Sequence, residues 1–385
     1  MKPELFVGAF IMMLTSGCTS ALLHSEADVD SLMGSLTREE KVPGIQYVVV
    51  TKDRTIKSKA AGFSDIKHQT RMKPDSLMMA YSMSKTFTAV AALQLAERGI
   101  LDLGGSVKNY LPDIPYPDEL KVRHLISQTS GIPNPIPLKW VHTPDEHLRY
   151  DSGADYRQLI GDNRELDFTP GEKYAYSNLS YWTLERLVEK ITGVAFPEYM
   201  RNEVFSPLGL DPRKAGFEYS SASTPVKGYL GRYSLINLLK WTVTDRKLWG
   251  EYEKNWLNIK PHYLNSPGMG GVLVSADSVG LFLKDLLKEK PVLFKEDGMG
   301  KKWLFEVQKN NLGEDVPMTL GWHVGKSESG ERFFYKEGGG AGFHCEMRIY
   351  PDEGIASVVM ANSTAFNVKK FLNQADPVFL IKKLK

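Results

Sequence analysis

The sequence predicts an α/β chain of the α+β type, in which both chain ends build one antiparallel sheet around a mainly helical insertion. Three observations carry this. Gly44–Val50 is rich in β-branched residues and turns through Lys52-Asp53-Arg54 into a second extended stretch, Ile56–Phe63. Near the other end, Cys345, Met347 and Ile349 alternate with Glu346, Arg348 and Tyr350, and Pro351-Asp352-Glu353-Gly354 turns the chain into Ile355–Met360. Between the two, residues of roughly 100–260 lack strand alternation and carry helical stretches. The expected division is 1–18 as a leader, 28–98 with 262–385 as the α/β unit, and 99–261 as the insertion.

The elements follow in order. Ser31–Glu40 reads as a short helix. Thr86–Arg98 reads as a longer one, with Phe87, Val90, Ala91 and Leu95 on one face and Gly99 as its stop. A loop holding Pro133, Pro135, Pro137 and Pro144 breaks the insertion before the helix at Tyr181–Ile191. The aromatic residues Tyr229, Tyr233, Trp241, Trp249, Tyr252 and Trp256 suggest an apolar wall or core packing. Phe333-Phe334-Tyr335 is a strand leading into the glycines of 338–342.

Composition narrows the function. In 385 residues, 48 Lys and Arg face 46 Asp and Glu, a net charge of +2, so the basic footprint of a nucleic-acid binder is missing. Two cysteines, Cys18 and Cys345, build no disulfide framework. No zinc-protease motif, phosphate loop, dinucleotide fingerprint or Gly-x-Ser-x-Gly elbow is present, so neither metal nor cofactor is expected.

The N-terminus has an apolar run, Leu5–Leu14, behind Lys2; it is shorter than the ~20 residues a membrane span needs. Leu14-Thr15-Ser16-Gly17-Cys18 resembles a bacterial lipobox, with the Leu one residue further from the Cys than usual. The expectation is export to the periplasm or cell envelope, with membrane attachment through a lipidated Cys18.

Three motifs carry chemistry. In Ser82-Met83-Ser84-Lys85, the i, i+3 spacing on a helical turn lets the Lys85 amine reach the Ser82 hydroxyl. A buried, partly neutral lysine can then act as a base. Ser64-Asp65-Ile66-Lys67 has the same pattern in a polar stretch. In Tyr176-Ser177-Asn178, a phenol and an amide two residues apart can point the same way; Tyr263-Leu264-Asn265 also fits. Finally, Lys336-Glu337-Gly338 places a cation on a strand edge where glycines let a ligand approach the backbone. His323-Val324-Gly325 is a weaker rival.

Together and in this order, the three resemble the serine β-lactamase and penicillin-binding-protein family, nearest its class C β-lactamase, D-Ala-D-Ala carboxypeptidase and esterase branch. Family-like stretches reach from about residue 30 to 365. The resemblance implies Ser82 as acylated nucleophile, Lys85 as its proton acceptor or electrostatic partner and Tyr176 as proton shuttle. It implies Asn178, Lys336, Gly338 and Gly339 as substrate-binding residues, with backbone N–H groups of Ser82 and Gly339 as the oxyanion hole. The substrate is then a small molecule, peptide or ester. Glu337 stands where the family has Thr or Ser, which favours a neutral ester or amide over a carboxylate-bearing substrate. It also keeps open a second reading, a non-catalytic envelope protein that binds cell-wall peptide or a partner.

Overall fold

The computed structural model describes residues 23–135, 140–219, 225–295 and 298–380. The leader and Cys18 lie outside these residues, as does Pro137. Seven antiparallel strands form the main sheet: β1 (Gly44–Thr51), β2 (Thr55–Asp65), β3 (Thr70–Arg71), β4 (His323–Lys326), β5 (Arg332–Gly340), β6 (Phe343–Tyr350) and β7 (Ile355–Ala361). Their spatial order is β4-β5-β6-β7-β1-β2-β3, so the seam between the chain's two ends runs through the middle, with Ile45 opposite Ala361 and Thr51 opposite Ile355.

The central strands show no alternation of exposure, because both faces of the sheet are covered. The alternation is instead between two cores. Val48 and Val50 of β1, with Ala356, Val358 and Met360 of β7, face a large core that contains helices α2 (Ser84–Glu97), α3 (Asn178–Thr192) and α4 (Ala276–Leu287). Ile45, Tyr47 and Val49, with Ile355, Val359 and Ala361, face a smaller core closed by α1 (Glu26–Arg38) and α5 (Val368–Ala375). A one-residue slip would exchange the two cores, so the register is tightly specified.

Helix α1 starts at Ser25, whose hydroxyl caps Asp28 N while Asp28 returns a carboxylate oxygen to Ser25 N. That places its start upstream of the Ser31 expected from the sequence. Helix α2 departs further from expectation. It is buried on all sides except at Glu97, and its polar residues are matched individually: Thr86 Oγ1 donates to Gly321 O, Thr88 Oγ1 to Gly268 O, and Gln94 Nε2 to Glu203 O and Leu293 O. It is the axle of the large core rather than a surface helix, and burying a residue such as Phe87 there stabilises by about 1.5–3 kcal/mol.

The stretch expected to lack strands contains a three-stranded antiparallel sheet of Gly228–Gly231, Trp256–Ile259 and Trp249–Glu253. It docks on the turn between β5 and β6, where Tyr229 N donates to Gly342 O. The aromatic residues of this region split: Tyr229 and Trp256 are buried in packing, while Tyr233 and Trp241 are 85% and 61% exposed. Among the described residues no helix is long and apolar enough to cross a membrane.

Candidate active site

Ser82 lies in a single 3₁₀ turn, Tyr81–Met83, that leads into α2. Tyr81 has φ 44°, a backbone conformation that costs an aromatic residue energy and is held from both sides: its hydroxyl lies 2.9 Å from both His262 Nε2 and Ala341 O. The strain turns Ser82 out of the turn, half-buried, while Lys85 one turn on is fully buried.

The second motif comes from the start of α3. Ser177 is extended and is the N-cap, its hydroxyl accepting from Ser180 N. Capping by Ser177 frees Asn178, and the extended residue between Tyr176 and Asn178 sends both side chains the same way. Tyr176 Oη lies 2.6 Å from Ser82 Oγ and 3.3 Å from Asn178 Oδ1.

Lys85 Nζ sits at the centre: 3.0 Å from Ser82 Oγ, 2.9 Å from Asn178 Oδ1 and 2.7 Å from Met269 O. The amide oxygen and the carbonyl can only accept. A neutral amine has two N–H groups and one lone pair; the N–H groups serve Asn178 and Met269, and the lone pair is left to receive the Ser82 hydroxyl proton. Burial, reinforced by the charge of Lys336, pushes the Lys85 amine well below its ordinary value, favouring that neutral form. Burial likewise raises the Tyr176 phenol well above its ordinary value, so it is protonated at neutral pH and can donate to Ser82 Oγ.

Lys336 reaches the same place from β5. Only Arg332–Tyr335 of β5 pair with β4, so the edge from Lys336 onward is left to the Ser82 turn. Gly338 makes the approach possible: a Cβ there would stand 2.1 Å from Ala80 O and 3.0 Å from Ser82 N. Gly338 is buried and Gly339, the next residue along the edge, is exposed. The Lys336 amine lies 5.8 Å from the Tyr176 ring centre and 5.9 Å from that of Tyr181, fully buried and with no hydrogen-bond partner among the described residues. Burial lowers it to about 7.

Glu337 points to the other face of the sheet. Its carboxylate lies 2.6 Å from His344 Nε2, and His344 Nδ1 lies 2.6 Å from Phe366 O. Both ring nitrogens therefore face oxygen atoms. The hydrogen bond to His344 holds the Glu337 carboxyl below its ordinary value despite burial. The expectation that Glu337 repels a substrate carboxylate loses its basis, because its charge is turned away and matched.

The rival motifs lie apart from this constellation. Ser64 Oγ donates to Thr70 O, and Lys67 pairs with Glu251 at the surface. Tyr263 Oη accepts from Tyr219 N, while Asn265 is held by His142 and Asp155. His323 is nearer. It stands opposite Tyr335 and 3.0 Å from Tyr174 Oη, and burial with the charges of Lys336 and Lys85 lowers it to about 2. It is a neutral wall residue. Among the described residues no group of three or more His, Cys, Asp or Glu could hold a metal ion.

Sequence reasoning missed the Met269 carbonyl and the turn that presents it, because a backbone acceptor leaves no mark in side-chain patterns.

Comparison with known proteins places this geometry. The β-lactamase family model matches residues 29–375. Penicillin-binding protein 4* of Bacillus subtilis (strain 168) is 25% identical over 304 residues, covering 78% of this chain and 64% of that protein. Protein flp of Staphylococcus aureus (strain COL) is 26% identical over 189 residues, 48% of this chain and 37% of that one. The chain thus spans less than two-thirds of the length of these curated relatives. Among solved structures, D-amino acid amidase from Ochrobactrum anthropi SV3 superposes with a TM-score of 0.74 at 18% identity, over 93% of this chain and 99% of that one. The octameric penicillin-binding protein homologue from Pyrococcus abyssi gives 0.70 at 20% identity, over 92% and 77%. At these identities the structures speak for the fold, which is β-lactamase/transpeptidase-like.

Proposed function

The chain belongs to the β-lactamase family of serine hydrolases, and we propose that it hydrolyses an ester or amide through an acyl-enzyme on Ser82. The observation that carries this reading is the Lys85 amine, buried without a carboxylate partner among the described residues and 3.0 Å from Ser82 Oγ. A lysine placed for structure alone would be paired or would reach solvent.

The steps follow from the hydrogen bonds. Ser82 Oγ attacks the carbonyl carbon as its proton passes to the Lys85 lone pair. The oxyanion forms against the backbone N–H groups of Ser82 and Gly339; each such donor is typically worth ~3 kcal/mol. Collapse expels the leaving amine or alkoxide, which takes its proton from Tyr176 Oη, and the proton held on Lys85 then neutralises the Tyr176 phenolate. Water then attacks the acyl group by the same path in reverse. Lys336, an amine with no hydrogen-bond partner among the described residues, supplies a donor and positive potential to an acceptor group on the substrate.

The substrate class we favour is an amide or ester of a D-amino acid or of a short peptide. The fold match to D-amino acid amidase and the relatedness to penicillin-binding protein 4* support it. The apolar N-terminal run and Cys18 support export with lipid attachment, which fatty-acid labelling lost in Cys18→Ser would demonstrate.

One panel tests the activity: a fluorophosphonate probe, a short-chain aryl ester, D-amino acid amides, a D-Ala-D-Ala peptide and a chromogenic cephalosporin, each on wild type and Ser82→Ala. Labelling and turnover dependent on Ser82 are expected, with the cephalosporin the poorest. Absence of any Ser82-dependent reaction would overturn the reading.

A further inference from the structure

Helix α3 contributes a second residue to this site, one that touches neither substrate nor nucleophile. Glu185 lies two turns along from Asn178 and is fully buried, a costly place for a carboxylate. Its Oε2 accepts from Gly268 N at 2.7 Å and from Ser266 Oγ at 2.5 Å. Ser266 Oγ in turn accepts from Met269 N at 3.1 Å, and Thr88 Oγ1 of α2 donates to Gly268 O at 2.6 Å. The short turn Pro267–Gly270 is therefore held at Gly268 N, Gly268 O and Met269 N. On the catalytic side the turn presents Met269 O, which accepts from Lys85 Nζ.

We propose that Glu185 is a positioning residue for the acylation base: through the Pro267–Gly270 turn it fixes the carbonyl that orients Lys85, and so aims the amine's lone pair at Ser82. The inference rests on the reading of Lys85 as that base. The geometry explains why a side-chain acceptor oxygen is needed. Two donors, a backbone N–H and a hydroxyl, converge on one oxygen, and a carboxylate oxygen accepts both without offering a hydrogen of its own. Arg186 balances the charge, bonding Glu185 Oε1 directly and Glu189 at 3.0 Å.

A purely structural role for Glu185 makes different predictions, since a buried ion pair lost from α3 would lower stability without retuning Lys85. The groups facing Lys85 are Ser82, Tyr176 and Tyr181, Asn178, the Met269 carbonyl and, from β5, Lys336. Those facing Glu185 are Arg186, Glu189, Ser266 and Gly268 N. Removing Glu185 withdraws a negative charge and loosens a carbonyl, both of which disfavour the ammonium form of Lys85. The base then protonates at lower pH while its aim is lost.

The experiment is the pH profile of the second-order rate of Ser82 labelling by a fluorophosphonate, for wild type, Glu185→Ala and Glu185→Gln, each normalised to folded protein by circular dichroism. Glu185→Ala should react ~10- to 100-fold more slowly at its optimum, with the acid limb moved to lower pH. Glu185→Gln keeps an oxygen for Gly268 N and should recover most of the rate; it also serves should the alanine variant fail to fold. Wild-type rates in both variants, or equal losses with an unmoved acid limb, would overturn the proposal. If wild type itself is not labelled at Ser82, the nucleophile assignment fails. The Glu185 proposal is then judged by the crystal structure of a Glu185 variant, where a Met269 O to Lys85 Nζ contact unchanged from 2.7 Å would refute it.

Discussion

On the far face of the sheet, Glu346, Arg348 and Asp376 are buried to within 3% of full. Arg348 donates to Glu346 and to Asn373, and Asp376 accepts from Tyr47, Tyr350 and Ser357. On the near face, Lys85 and Lys336 are buried as deeply, yet neither has an anionic partner among the described residues. The first cluster ties the C-terminal helices to the sheet, and its charges are matched. The second is two amines facing two tyrosines, with no carboxylate among the described residues to hold either of them charged. Since burying an amine without an anionic partner costs stability, whether by desolvating its charge or by giving up its proton, its retention marks the place where the energy is used for chemistry.

The comparison can be broken first at Lys85. Lys85→Met should cut Ser82 labelling by about 10²–10⁴-fold, while thermal unfolding shows no loss of stability. Asp376→Ala is the mirror experiment. It strands three buried hydroxyls and removes a carboxylate 3.8 Å from Arg348 Nη1, and should cost about 3–5 kcal/mol in denaturant titrations while labelling per folded molecule stays within about twofold. Lys336 sharpens the contrast through pH. Its folded value of about 7 lies below the ordinary 10.5, so between these the unfolded chain binds more protons and stability rises with pH. Lys336→Met should flatten that rise and stabilise the protein at neutral pH by a few kcal/mol while lowering activity. The smallest effect is expected at Glu337, whose partner His344 is near the surface. Glu337→Gln should cost no more than about 1 kcal/mol at pH 7, and the difference should vanish as acid protonates the wild-type carboxylate.

Much of this was legible from local rules. The Ser82–Lys85 pair depends on one helical turn, and Tyr176 with Asn178 on one extended residue. The pairing of β1 with β2 and of β6 with β7 follows from short turns between β-branched runs. What stayed hidden depended on distant neighbours. Helix α2 carries Thr86, Thr88 and Gln94 where surface polarity would be expected, and only the loops around it reveal their acceptors. Alternation on β5 separates Lys336 from Glu337, yet which face holds the nucleophile is decided by the Ser82 turn, far away in the chain. The small sheet of 228–259 hid among glycines and aromatics that fit loop and core equally well. Glu185 did leave a trace: it is an acid three residues after Trp182 and four after Tyr181, on the buried side of α3, a position that polar chemistry rarely occupies without cause.

The seam at β1 and β7 has a consequence for how the molecule comes into being. Ile45 and Ala361 are more than 300 residues apart in the chain, and their pairing closes the centre of the sheet. Until synthesis has passed β7, β1 offers an unpaired, largely apolar edge, the kind of surface that invites aggregation. Lys336 also reaches the Ser82 turn only from the late-made strand β5. A nascent chain is therefore inactive for most of its elongation, and any truncation before Ile355 is expected to yield an insoluble product rather than a weakened enzyme.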